Sequence, residues 1–87
     1  MSAAELAPED LAMLRFAGEW WRDPAAREQA IRDRFGLPPV RFYQRIAYLI
    51  TTPAALAAEP LVVARLKRLA QARSRLRVRS SAAGVYR

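Results

Sequence analysis

The sequence predicts an all-α protein, a compact helical bundle with a helix-turn-helix-like core and a basic C-terminal helix or arm. Three observations lead there. Apolar residues recur at helical spacing. The six prolines fall where helices would begin, Pro24 and Pro53 after the capping residues Asp23 and Thr52. No segment reads as a strand.

The first helix is expected from about Pro8 to Arg22, with Glu9 and Asp10 favourably placed against its N-terminal dipole. Leu11, Leu14, Gly18 and Trp21 share one face, and Met13, Phe16 and Trp20 another. Arg15 and Glu19 stand at ion-pair spacing. Asp23-Pro24 then gives an N-cap followed by a first-turn proline, opening a second helix to about Phe35. Ala26, Ala30, Ile31 and Phe35 would face the core, and Glu28 and Arg32 could pair across one turn. Gly36 supplies the left-handed stop.

Pro38-Pro39 opens a third helix to about Ile50, with Phe42, Ile46, Leu49 and Ile50 as its buried stripe. Thr51-Thr52-Pro53 caps one or two further turns through Ala58. A last helix starts near Pro60 and is expected to end at Arg77 or Arg79. Leu61 or Val62, then Leu66 and Leu69, follow its inner face. Arg73 interrupts that pattern and Leu76 resumes it. The chain thus divides into a flexible segment 1–7, a helical domain 8–72 and a partly disordered basic arm 73–87.

Length and composition narrow the function. The 87 residues fit one domain, and 53% hydrophobic content supports a folded core. No cysteine or histidine is present. Common nucleophile–base pairs and transition-metal ligands are therefore missing, and neither metal nor cofactor is expected. The eight carboxylates (Glu5, Glu9, Asp10, Glu19, Asp23, Glu28, Asp33 and Glu59) sit at caps or at ion-pair spacing with arginine. No Gly-rich phosphate loop occurs. These features argue against an enzyme. No apolar run reaches the roughly 20 residues of a membrane span, and no secretory leader is visible. A cytoplasmic setting is expected.

Charge is the strongest functional signal. The net charge is +7, unevenly distributed. Residues 1–40 carry five arginines against seven acids, a net of −2, whereas residues 41–87 carry ten cations against one acid, a net of +9. Such asymmetry suits a polyanionic partner, nucleic acid before an anionic membrane. The alternative is an arginine-favouring genome, although codon bias would raise arginine throughout the chain.

Two elements carry the charge toward a function. Around Gly36, Ile31 lies five residues before, Phe35 one before, Leu37 one after and Phe42 six after. That is the apolar spacing with which a helix-turn-helix fixes its two helices. Arg32 stands where a small residue is usual, and Ile46 comes one place late, so an ordinary helical hairpin remains the alternative. On the third helix, Arg41, Gln44, Arg45 and Tyr48 fall on or beside the outward face, chemistry that suits base edges and phosphates. The second element is Arg65, Lys67, Arg68, Arg73, Arg75, Arg77 and Arg79, seven cations among fifteen residues without an acid. Each phosphate they neutralise would release condensed counterion. A solvated helix face or a membrane-surface helix would be the alternative use. For Trp20-Trp21, Trp21 would anchor the core while Trp20 covers the last helix. Otherwise Trp20, Phe16 and Met13 would form a homodimer or adaptor surface.

The run Trp20-Trp21, Glu28-Gln29-Ala30-Ile31, Phe35-Gly36-Leu37, Arg41-Phe42-Tyr43-Gln44, Pro53 through Ala57 and Pro60 through Leu69 resembles a family of small actinobacterial proteins. That family is catalogued as a domain of unknown function, and some members are treated as nucleoid-associated DNA-binding proteins. The resemblance spans roughly residues 9–75. It implies DNA binding in an actinobacterial cytoplasm, as a nucleoid-associated or accessory transcription-regulatory protein. The Phe35–Gln44 segment also looks like the helix-turn-helix of sigma-factor region four. Here Pro38-Pro39 replaces the usual polar start of the recognition helix, which implies low sequence specificity.

Overall fold

The computed structural model describes the backbone of residues 5–85 and the side chains of residues 5–76. Five helices make up the fold, α1 (Pro8–Ala17), α2 (Pro24–Phe35), α3 (Pro39–Leu49), α4 (Pro53–Ala58) and α5 (Pro60–Val85), with no strand among the described residues. The all-α class is therefore as expected. The expected flexible segment 1–7 and disordered tail fall partly on residues outside the described ones.

Helix α1 stops at Ala17, five residues short of the expected Arg22. Gly18 takes the cap, and the Glu19 N–H donates to the Phe16 carbonyl at 3.0 Å, tightening the last turn. Two physical terms favour the stop. Glycine is a poor helix interior residue. The residue before Pro24 must also be extended, as Asp23 is with φ −110° and ψ 111°. Gly18 is needed for packing as well. A Cβ at this position would lie 3.0 and 3.1 Å from the two Val62 methyls.

The remaining boundaries follow their caps. Asp23 accepts the Ala25 N–H at 3.0 Å and starts α2. Gly36 ends it at φ 65°, its N–H donating to the Arg32 carbonyl at 2.9 Å. Residues 36–38 then join α2 to α3. The Thr52 hydroxyl donates to the Leu49 carbonyl at 2.7 Å and accepts the Ala55 N–H at 3.2 Å, so one side chain closes α3 and opens α4. Helix α5 runs to Val85, beyond the expected end near Arg77 or Arg79.

The core gathers Met13, Leu14 and Phe16 of α1, Ile31 of α2, Phe42, Ile46 and Leu49 of α3, Ile50, Ala55 of α4 and Val63 of α5. Phe42 is central. Its ring stacks on Phe35 at 5.4 Å and meets Phe16 edge-on at 5.6 Å. Helix α1 packs on α3, α4 and α5, while α2 packs on α3. Burial corrects several expectations. Ala26 is exposed, because α2 meets the body chiefly through Ile31 and the half-buried Ala30 and Phe35. On α5 the fully buried residue is Val63, and Leu61 and Leu69 are exposed.

The Arg15–Glu19 and Glu28–Arg32 pairs do not form. Arg15 instead reaches Glu59 at 2.8 Å, tying α1 to the α4–α5 junction. Among the described residues the other ion pair joins Arg45 to Asp10 at 2.8 Å.

Candidate nucleic-acid interface

The structure brings Arg41, Gln44, Arg45 and Tyr48 together, as the spacing on α3 predicts. They line one side of a groove whose other wall is the N-terminal turn of α1, including Glu9 and Asp10. Those carboxylates change the electrostatics of the face. The Arg45 Nε and Nη2 donate to the two Asp10 oxygens at 3.0 and 2.8 Å, a bidentate pair. The Asp10 hydrogen bond raises the Arg45 pKa above its already basic value, partial burial opposes it, and the Asp10 and Tyr48 charges add to the rise. Arg45 also lies over the Tyr48 ring at 5.1 Å. Arg41 is the cation of this group with no carboxylate partner among the described residues.

The basic cluster lies on α5. From Lys67 to Leu76 every residue is exposed, although Leu69, Ala70 and Arg73 still border a cavity against α3. Lys67, Arg68, Arg73 and Arg75 have no carboxylate partner among the described residues. The Arg65 guanidinium donates to the Gly18 carbonyl at 3.4 Å, a long hydrogen bond that leaves its charge exposed. The side chains of Arg77 and Arg79 lie outside the described residues. At 100° per residue, Arg65, Lys67, Arg68, Arg73 and Arg75 spread over roughly two-thirds of the helix circumference. They form a sleeve of positive charge, separate from the α1–α3 groove.

Arg73 joins the body differently from its neighbours. It lines a cavity between α3 and α5 together with Arg27 of α2 and Tyr43 of α3. Arg27 and Tyr43 carried no functional expectation, since their meeting with α5 depends on residues far apart in sequence.

The aromatic surface is smaller than the sequence suggests. Met13 and Phe16 are each 2% exposed and belong to the core, so they cannot supply a homodimer surface. The end of α1 at Ala17 explains this, because Trp20 and Trp21 lie in the following loop rather than on a helix face. Trp21 folds back to 5.6 Å from the Phe16 ring, whereas Trp20 remains 74% exposed.

Fold and surface define a small all-α protein whose long cationic helix leaves a packed aromatic core. The chain belongs to the family described as protein of unknown function (DUF3263), whose model matches residues 5–78. No curated protein and no solved structure matches it. Among the described residues, no helix is long and apolar enough to cross a membrane, and no His, Cys, Asp or Glu cluster could hold a metal ion.

Proposed function

We propose that the protein binds double-stranded DNA with low sequence specificity, as a nucleoid-associated or accessory transcription-regulatory protein. The observation that carries this reading is the exposed cationic sleeve of α5. Its described cations are held clear of every described carboxylate. Charges arranged around a helix suit the phosphate backbone, which is read by charge and not by sequence.

The α2–turn–α3 unit plays a lesser part. Arg41 and Gln44 offer one free cation and one amide, while Arg45 is held by Asp10. The exposed start of α3 carries Val40, which has no group to read a base edge. Low specificity follows from that poverty of donors. An adaptor role in transcription is the weaker reading, since of its three proposed residues Trp20 alone is exposed.

The test neutralises Lys67→Gln, Arg68→Gln and Arg75→Gln together. All three positions are exposed, and glutamine keeps helix propensity. Affinity for any duplex should fall, and the slope of log K against log salt should flatten by about 0.9 for each phosphate that is no longer neutralised. Unchanged affinity and slope would remove α5 from the mechanism.

A further inference from the structure

The cavity between α3 and α5 has a chemistry distinct from the rest of the surface. Its volume is about 150 Å³. Ile46, Ile50 and Leu66 supply an apolar floor, while Arg27, Tyr43 and Arg73 supply the polar groups. No carboxylate is among its lining residues. Small-molecule sites combine the same elements, an apolar concavity with a few convergent polar groups.

Two of those polar groups are shielded from solvent and unsatisfied. The Arg27 Nε and the Tyr43 hydroxyl have no hydrogen-bond partner among the described residues. Native structures rarely leave such donors unpaired, and an unpaired cluster calls for an ion, water or ligand. The Arg27 guanidinium lies over the Tyr43 ring at 5.6 Å, so the two side chains pack together at the edge of the cavity. Arg73 brings a second positive charge from α5.

The geometry points to a binding site for a small monocarboxylate with a compact apolar body, seated between Arg27, Tyr43 and Arg73. The carboxylate would accept from the Arg27 and Arg73 guanidinium groups, and its body would cover Ile46, Ile50 and Leu66. Size fits this class, since about 150 Å³ is room enough for a benzene-sized group. A phosphate suits the site less well. It would set a fully hydrated anion against the apolar floor and gain nothing from it. The proposal is independent of DNA binding, and its test uses no nucleic acid.

The test is a titration of the full-length protein, followed by backbone amide chemical shifts, with sodium benzoate, benzyl alcohol and inorganic phosphate as probes. Benzoate should give saturable shifts confined to the amides around Arg27, Tyr43, Ala47 and Ala70. It should bind about tenfold more tightly than benzyl alcohol, the margin of a charge-assisted hydrogen bond. Arg27→Gln should remove that preference without changing benzyl alcohol binding. Ala47→Leu, at an exposed position on the cavity wall, should block both probes. Scattered or non-saturating benzoate shifts would overturn the proposal. So would equal affinity for the neutral probe, an Arg27→Gln protein that still prefers benzoate, or phosphate binding as tightly as benzoate.

Discussion

At the scale of single residues, Asp10 has the largest electrostatic influence on the α3 face. Its carboxylate accepts from two of the three Arg45 guanidinium nitrogens, Nε and Nη2, and so neutralises one cation of the groove. Freeing that guanidinium should help a backbone-directed interaction. Asp10→Asn is expected to raise duplex affinity and steepen the salt slope by about 0.9, one more phosphate neutralised, in a titration beside the wild type. An unchanged slope would place the α1–α3 groove away from DNA. The arginine itself is charged throughout the physiological range, since the pairing moves its pKa further upward.

Gly36 provides a separate residue-level test, of stability. Its φ is 65°, and a Cβ there would meet nothing within 4 Å, so strain in the backbone is the sole penalty for a side chain. Gly36→Ala should cost about 1 kcal/mol in urea unfolding, and Gly36→Asn less, because asparagine tolerates the left-handed region.

At the scale of elements, local chemistry accounts for most of what could be read in advance. Five prolines at helix starts, the Asp23 and Thr52 caps and the Gly36 stop act within a few residues of chain, and α2, α3 and α4 are found where expected. Helix α1 departs at its end, where Gly18 and the extended residue before Pro24 outweigh the apolar periodicity. Gly18 is fixed by Val62, forty-four residues away, and periodicity alone carried the expected helix through Trp20 and Trp21. The same limit applies to ion pairs. Neighbour spacing suggested Arg15 with Glu19, but tertiary packing delivers Glu59.

The candidate interface divides along the same line. The α3 group was legible because one helix face is a local property, whereas the Asp10 clamp on it was not. On α5, composition and helical spacing revealed the charge and its spread, but the approach of Arg73 to α2 and α3 emerges only with the fold. Arg27 and Tyr43 gave no signal, since nothing in the sequence brings them to Arg73.

At the scale of the whole molecule, a small core supports a long charged helix. Phe42 has no exposed surface and touches the Phe16, Phe35 and Tyr43 rings. Phe42→Ala should cost about 3–5 kcal/mol, a large part of the stability of a domain this size. Thermal unfolding would register it as a lowered Tm or as loss of the cooperative transition. The chain also lacks histidine and cysteine, the side chains that ordinarily titrate near neutrality. Duplex affinity at fixed ionic strength should therefore stay level between about pH 6 and pH 7.

The central claim is that α5 makes this protein a backbone-directed DNA binder. Its most direct test is the affinity of the unmodified protein for two unrelated random-sequence duplexes, by fluorescence anisotropy across a salt series. Equal affinities for the two duplexes and a linear fall of log K with log salt are expected, at a slope that reports several released counterions. Absence of binding at low salt would contradict it, as would a strong preference between the duplexes with little dependence on salt.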